Sequence, residues 1–160
     1  MNIRSIQLPL VLAVLFLLSC QKERSLEISD PYSSATDTMR LTLNGVDWAP
    51  PIIKASAIGG QLTITGAESK GYPVISLVLP QDIADVHPLD VVAGTYVGYY
   101  ASAPSDVFGS YDGSIQIFEN DSTTHRVRGS FQYRAVLPLG NTTSTQTGLI
   151  TAGYFSVEYF

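Results

Sequence analysis

Hydrophobic and polar residues alternate along most of the chain after about residue 40, and a period of two is typical of β-strands. The clearest example runs from Arg126 to Leu137. One set of its positions is Val127, Gly129, Phe131, Tyr133, Ala135 and Leu137, and the other begins with Arg126, Arg128, Ser130, Gln132 and Arg134. This alternation predicts a strand with one face in a hydrophobic core and the other in solvent.

Two short segments have the pattern of tight β-hairpins. Asn44-Gly45 separates the alternating runs 41–43 and 46–48. Gly59-Gly60 likewise separates 52–57 from 62–65. Both residue pairs tolerate the positive φ angles that two-residue hairpin turns require, so each segment is predicted to be an antiparallel pair of strands.

The remaining pattern predicts further strands joined by polar connections. The predicted strands are 74–79, 91–100, 114–118 and 149–160, and the predicted loops and turns are 81–90, 101–113, 119–124 and 141–147. The total is about eight strands, and no helical periodicity follows the N-terminal segment. We therefore expect an all-β fold, either an antiparallel β-sandwich or a partly closed barrel.

The first residues do not belong to this pattern. Arg4 precedes an apolar run over 8–18 that ends at Ser19-Cys20, which is the layout of a secretory signal peptide. The run is too short to cross a bilayer as a helix, which takes about 20 apolar residues. The chain is thus divided into a signal peptide (1–19), a polar, flexible tether (20–39) and a β-domain (40–160). An edge strand through Leu26 and Ile28 is the alternative for the tether.

Residues 17–20 resemble the lipobox of bacterial lipoproteins. Leu17 is at the third position before the cysteine and Ser19 lies directly before it, whereas a smaller or β-branched residue is more common in place of Leu18. Cys20 is the only cysteine, so it cannot form an internal disulfide. The resemblance implies that Cys20 carries a diacylglyceryl group and an amide-linked acyl chain. The alternatives are an ordinary cleaved signal with an incidental cysteine, or a buried core segment.

Charge narrows the range of partners. Removing 1–19 removes Arg4 and changes the net charge from −5 to −6. An acidic domain without a basic face does not fit nucleic acid, and its sign argues against lying flat on an anionic membrane. We therefore expect attachment to the membrane through the N-terminal lipid. Gln21 is not the Asp that commonly retains lipoproteins on the inner membrane, which favours the outer membrane, and 21–23 partly resembles a surface-export tag.

Several segments resemble a family of small β-rich bacterial envelope lipoproteins whose domain has no assigned function. The resemblance is carried by LTLNGVDWAP (41–50), LTITG (62–66), AGTYVGYY (93–100), GSIQIFENDSTTHRVRGSFQYRA (113–135) and ITAGYFSVEY (150–159). These segments cover most of 40–160. The resemblance implies a sandwich-like fold and an envelope location, and it supplies no catalytic residue.

Two polar clusters are weak candidates for metal ligands. One consists of Asp82, Asp85, His87 and Asp90, and the other is the turn 119–121. Oxygen and imidazole ligands close in sequence could hold a divalent ion, but the spacing of an EF-hand loop and a His-x-x-x-His pair are both absent from the sequence. A solvated acidic loop is the interpretation favoured here, with no metal and no cofactor.

Aromatic residues are dense around the predicted loop 101–113. They are Tyr96, Tyr99, Tyr100, Phe108 and Tyr111. Tyrosine rings can stack on the apolar faces of sugars, so this cluster is a candidate platform for a glycan. A half-buried sheet lined with tyrosine is the alternative.

These observations predict a non-enzymatic envelope lipoprotein whose domain is a binding or structural module, with a glycan or an envelope protein as its possible partner. One alternative is a carbohydrate-binding accessory of a nutrient-uptake system. Another is a hydrolase, in which His87 or His125 would act with a carboxylate and a serine. The chain contains no Gly-x-Ser-x-Gly motif, and no catalytic residue is assigned.

Overall fold

A computed structural model describes residues 37–139 and 147–160. Every regular element in these two ranges is a β-strand: β1 (Thr38–Leu43), β2 (Val46–Trp48), β3 (Ile52–Ile58), β4 (Gln61–Ala67), β5 (Val74–Pro80), β6 (Val86–Pro88), β7 (Val97–Ala103), β8 (Asp106–Asp121), β9 (Arg126–Leu139) and β10 (Gly148–Glu158). The predicted all-β class is confirmed. Among the described residues, no helix has the length and apolar character needed to cross a membrane.

Several predicted features lie outside the described residues. They are the signal peptide, Cys20, the tether as far as residue 36, the alternative edge strand in it, and residues 141–146 of the predicted C-terminal loop. The tether prediction was too long at its end. Thr38 and Met39 are the first residues of β1, because Met39 is buried in the core.

All ten strands belong to one antiparallel sheet, ordered β2-β1-β10-β9-β8-β7-β5-β4-β3, with β6 paired to β8. The longest strand, β8, pairs with β9 along nearly all of its length. It pairs with β7 near its start and with β6 in its second half. Within the described chain, the edge strands β2 and β3 are not paired with each other, so the sheet is open. The C-terminal strand β10 lies inside the sheet, as the sequence predicted.

Both predicted hairpins are present. Asn44 and Gly45 have φ angles of 51° and 84°, and Gly59 and Gly60 have φ angles of 60° and 81°. These values lie in the left-handed region, which glycine and asparagine enter at low cost. The turn residues therefore set the register of β1 with β2 and of β3 with β4.

The sheet folds back so that strands from its two ends face each other across one core. A Cβ built on Gly66 of β4 would lie 2.6 Å from the Sδ atom of Met39 on β1. The Trp48 indole N–H donates a 2.7 Å hydrogen bond to the Glu68 carboxylate, which joins the same two ends. Burying one large apolar side chain stabilises the folded state by about 1.5–3 kcal/mol relative to leaving it exposed. The core side chains include Met39, Leu41, Leu62, Ile64, Ile75, Leu77, Leu79, Ile115, Phe131, Tyr133, Ile150, Phe155 and Val157.

Aromatic rings cover glycines at four places in this core. A Cβ on any of these glycines would come within 3.0 Å of a ring carbon. The rings thereby fill the space left by the missing side chains, which explains why strands so rich in glycine remain well packed. The pairs are Gly98 with Tyr133, Gly129 with Phe155, Gly148 with Tyr100, and Gly153 with Phe131.

The sequence prediction was least accurate over 81–113. Residues 86–88 of the predicted loop 81–90 form β6. The predicted strand 91–100 begins only at Val97. Before it, the Asp90 carboxylate accepts a 2.8 Å hydrogen bond from the Val92 amide, and the Asp90 amide donates one of 3.0 Å to the Tyr96 carbonyl. These bonds close a loop instead of a strand.

The predicted loop 101–113 is instead mostly strand. It contains the end of β7, a short turn and the first half of β8. Its glycines are needed because other parts of the chain approach closely. A Cβ on Gly109 would lie 2.8 Å from Val91, and one on Gly113 would lie 2.4 Å from the Gln132 carbonyl oxygen. Such long-range contacts are invisible to a local pattern.

Candidate functional site

An open cleft of about 840 Å³ lies where the segment 81–85 packs beside the second half of β8. Its lining includes the buried side chains of Ile83, Ile117 and Tyr159. The Phe118 ring also lines it and is 53% exposed. The cleft therefore combines apolar lining with an aromatic ring that is open to solvent.

Asn120 fastens the segment 81–85 to the sheet. Its side-chain nitrogen donates hydrogen bonds to the carbonyl oxygens of Gln81 (2.9 Å) and Ile83 (3.0 Å). A backbone bond of 2.8 Å from the Ile117 amide to the Asp85 carbonyl holds the other end of the segment. Backbone bonds from the Gln81 amide to the Gly60 carbonyl (2.8 Å) and from the Ile83 amide to the Pro80 carbonyl (3.2 Å) also hold this wall of the cleft.

The four metal candidates of the acidic loop do not converge. Asp82 and Asp85 line the cleft, whereas the Asp90 carboxylate is bonded to its own loop. The His87 ring stacks on Tyr96 with centroids 4.2 Å apart, and its Nε2 is hydrogen-bonded to the Ala84 carbonyl. Across the described residues, no group of three or more His, Cys, Asp or Glu side chains is arranged to hold a metal ion.

The second metal candidate, the turn 119–121, is engaged within the protein. Glu119 forms a 2.6 Å ion pair with Arg128. The Asp121 carboxylate accepts hydrogen bonds from the Thr123 amide and the Thr124 hydroxyl, which hold the pKa of this carboxyl below its ordinary value. These contacts close the turn into β9.

The aromatic residues of 96–111 are separated rather than assembled into one platform. Tyr100 and Phe108 form a stacked pair in the core, 6% and 2% exposed, and burial raises the pKa of Tyr100. Tyr96 and Tyr99 are half-buried, and Tyr111 is 53% exposed. Of these five rings, Tyr111 is the one most available to a ligand at the surface.

The two histidines lie in different surroundings. His87 stacks on Tyr96, and His125 stacks on Tyr159 with centroids 5.5 Å apart. Neither is hydrogen-bonded or ion-paired to a carboxylate or a serine hydroxyl of the described chain. Ser110 is buried, and its hydroxyl accepts a 3.0 Å hydrogen bond from the Gly98 amide.

A second surface feature was not singled out from the sequence. Ser114 and Gln116 on β8 pair with Gln132 and Ser130 on β9. These four side chains, which we call the neutral strip, line a groove of about 290 Å³ together with Val86 of β6. The signal was present in the sequence, because both strands carry uncharged polar residues in their solvent-facing sets at these positions.

Ion pairs flank the neutral strip on both sides along the strands. Arg134 pairs with Asp112 at 2.9 Å, and Arg128 pairs with Glu119 at 2.6 Å. Two exposed aromatic rings occur on the same strand β8, Tyr111 before the strip and Phe118 after it, each 53% exposed. Phe118 lines the cleft and follows Gln116 of the strip by two positions on β8.

No family model, curated protein or solved structure matches this chain. Its function is therefore inferred from its own residues. The surface around Phe118 offers amide and hydroxyl groups, an aromatic ring and a concave shape next to one another. These groups are suited to holding a ligand, and specific ligand sites commonly combine apolar lining with a few hydrogen-bonding groups.

Proposed function

We propose that this chain is an envelope lipoprotein, anchored through lipid on Cys20, that displays a non-enzymatic β-sandwich as a binding module. The anchor is supported by the signal-like segment 1–19, the lipobox resemblance and the single cysteine. One acyl chain gives only marginal membrane binding, whereas two or more anchor stably. The resemblance to small β-rich envelope lipoproteins belongs to the same proposal.

The observation that carries the binding role is the exposed Phe118 ring between two concave surfaces. Phe118 is 53% exposed and lines the cleft together with the apolar side chains of Ile83 and Ile117. Exposed apolar surface that is continuous in this way and rimmed by polar groups commonly marks an interaction site. The cleft of about 840 Å³ is within the usual size of small-ligand sites. Binding at this surface requires no catalytic residue.

Metabolic labelling tests the anchor. The full chain is expressed in bacteria fed an alkyne-tagged palmitate, with Cys20→Ala as the test variant and Ser19→Ala as the control that keeps a small residue before the cysteine. We expect the wild type and Ser19→Ala to carry the tag and to sediment with the outer membrane. Cys20→Ala should lose the tag. A tagged Cys20→Ala protein would contradict the anchor.

Thiol protection tests the binding surface without naming the ligand. Acylation leaves the mature chain without a free thiol, so Ser122→Cys in the cleft introduces one, and Lys54→Cys on β3 is the control at another exposed position. We expect maleimide to label Ser122→Cys more slowly in isolated envelopes than after purification, relative to Lys54→Cys. An unchanged ratio would count against occupancy of the cleft.

The same labelled protein reports its location. Protease added to intact cells should remove the domain if the lipoprotein is displayed on the outer face of the outer membrane. It should spare the domain if the protein faces the periplasm. The sequence favours the outer membrane because Gln21 replaces the inner-membrane retention residue.

A further inference from the structure

The neutral strip differs from an ordinary solvent-facing sheet surface in one respect. Its four side chains carry two amides and two hydroxyls, and none of the four is hydrogen-bonded to another part of the described chain. Outward positions of strands are commonly polar, but they usually include charged residues. Here the charged residues begin only at the flanks, where each arginine is already paired with a carboxylate.

The charge of this surface constrains its ligand. The chain as a whole has a net charge of −5, yet the strip is uncharged and its flanking ion pairs cancel. An anionic ligand such as nucleic acid or a phosphate-rich lipid requires unpaired basic groups. A strongly cationic ligand would find no free carboxylate in the strip. Charge complementarity therefore favours a neutral ligand with many hydroxyl groups.

The position of the strip on the face of the sheet argues against an extended peptide. Peptides that bind by strand addition use unpaired backbone groups at a sheet edge. The backbone of β8 at Ser114 and Gln116 is paired on both sides, with β9 and with β6. A ligand on this face is recognised by side chains, which are here the amides and hydroxyls that match sugar hydroxyl groups.

Two exposed aromatic residues, Tyr111 and Phe118, lie on β8 on either side of the strip. Tyr111 and Phe118 are seven positions apart, which corresponds to at most roughly 23 Å at about 3.3 Å per residue. Register shifts at 110–112 and between Ile117 and Glu119 fall close to both rings. Bulges of this kind re-aim side chains, and they often occur next to binding sites. Rings of this kind can stack against the C–H faces of sugars.

From these features we infer that the neutral strip, with Phe118 and Tyr111, binds a neutral oligosaccharide chain laid along β8 and β9. The inference rests on the proposed function and names the ligand class of that binding surface. It moves the glycan site away from the tyrosine cluster around Tyr96–Tyr100, whose rings are largely withdrawn from solvent. Amides and hydroxyls supply the hydrogen bonds, and Phe118 supplies the stacking surface.

The test uses the full mature lipoprotein in lipid nanodiscs. Titration calorimetry is run with neutral gluco-, manno-, xylo- and chito-oligosaccharides, and with a heparin fragment and an oligolysine peptide as charged comparators. The variants are Gln116→Ala combined with Gln132→Ala, and Phe118→Ala. The control is Gln61→Ala, an exposed glutamine on β4. Thermal unfolding of each variant checks that the fold is retained.

We expect at least one neutral oligosaccharide to bind, with affinity about tenfold or more weaker in the double glutamine variant and in Phe118→Ala, and unchanged in Gln61→Ala. No binding of any neutral sugar would overturn the inference, as would binding that is unchanged in the double glutamine variant and in Phe118→Ala. Binding of a charged comparator alone would overturn it as well. None of these results contradicts the proposed function if the protein still carries the palmitate label and Ser122→Cys is still labelled more slowly in envelopes. The proposed function itself fails if both of those results are negative.

Discussion

The hairpin β3–β4 and the ribbon β8–β9 are both antiparallel pairs, but their pairing differs in regularity. β3 and β4 pair through seven consecutive residues without a shift, whereas the β8–β9 register shifts at three places. The regular hairpin buries one face of β4, and its turn residue Gly60 lies at the margin of the cleft. The bulged ribbon carries the neutral strip and Phe118. Irregular pairing thus accompanies the surface that we propose to be functional.

Glycine substitutions should produce the largest difference between the two regions. A Cβ on Gly113 of the ribbon would meet the Gln132 carbonyl oxygen and Tyr133 Cβ at 2.4 Å, and neither can move without breaking the β8–β9 pairing. A Cβ on Gly66 of β4 would meet side chains instead, Met39 and Pro50, each at 2.6 Å. We expect Gly113→Ala to lower the free energy of unfolding by about 3 kcal/mol and Gly66→Ala by about 1–2 kcal/mol.

Urea unfolding followed by fluorescence of Trp48, the only tryptophan, measures both changes. Ser56→Ala on β3 is the control at a half-buried position and should have little effect. Equal losses for the two glycine variants would mean that close packing in the ribbon is no tighter than in the hairpin.

The same two regions explain how much of the fold the sequence could predict. Asn44-Gly45 and Gly59-Gly60 occupy positive φ angles in two-residue turns, so local chemistry identifies both hairpins. Gly109 and Gly113 lie inside β8 because distant residues approach them, and a local pattern assigns such glycines to a loop. Prediction therefore succeeded where the turn residues decide the structure and failed where tertiary contacts do.

The candidate site was harder to predict for a related reason. Register shifts in β8 and the short β6 decide which side chains reach the surface together. Tyr100 and Phe108 belong to the tyrosine-rich stretch, but cross-strand pairing turns both into the core. The neutral strip needs residues from two strands about 16 positions apart, so no single stretch of sequence displays it.

Asn120 provides the second test of the comparison. The connection after β4 is closed by backbone bonds, such as that from the Gly71 amide to the Glu68 carbonyl at 2.8 Å. The segment beside the ribbon is held by backbone bonds as well, but it also receives two bonds from the side chain of Asn120. We expect Asn120→Ala to reduce stability by about 2 kcal/mol and to increase hydrogen exchange over 81–85, because two carbonyl groups lose their partner.

Asn120→Asp is the matched variant, since it keeps the shape of the side chain but removes both donated bonds. It should lower stability at least as much as Asn120→Ala, because a carboxylate oxygen would then face the two carbonyl oxygens. Ser122 lines the same cleft but makes neither of these bonds, so Ser122→Ala should have nearly the stability and the hydrogen exchange of the wild type. Unchanged exchange over 81–85 in Asn120→Ala would show that packing alone holds the segment.

Tyr133 tests the interior of the ribbon. Its hydroxyl donates a 2.7 Å hydrogen bond to the Tyr99 carbonyl. Tyr133→Phe should therefore lower the free energy of unfolding by about 1 kcal/mol at neutral pH. Tyr111→Phe is the control on the exposed side of the same ribbon and should have no measurable effect. A similar change in both variants would exclude a specific role for the buried bond.

The stability of the protein should also depend on pH through Tyr133. Burial raises the pKa of Tyr133 in the folded state, whereas an unfolded tyrosine ionises at roughly pH 10. Above that pH the unfolded state binds fewer protons, so stability falls by up to about 1.4 kcal/mol per pH unit from this group. Tyr133→Phe should fall less steeply than the wild type between neutral pH and pH 11. Parallel stability curves for the two proteins would contradict a raised pKa of Tyr133 in the folded state.

The smallest expected effect concerns the strained residue in the bulge of β10, next to the ribbon. Ala152 has a φ of 49°, in the left-handed region, at the register shift between Ile150 and Gly153. Glycine adopts this conformation without the steric penalty of a Cβ, so Ala152→Gly should raise the free energy of unfolding by about 0.5 kcal/mol. The same substitution in the regular hairpin, Ala55→Gly, should lower it by about 1 kcal/mol, because glycine loses more freedom there and packs less surface. Changes of opposite sign in the free energy of unfolding, measured with urea, would support a strained bulge beside the ribbon. Two losses of equal size would mean that Ala152 is no more strained than a residue in a regular strand.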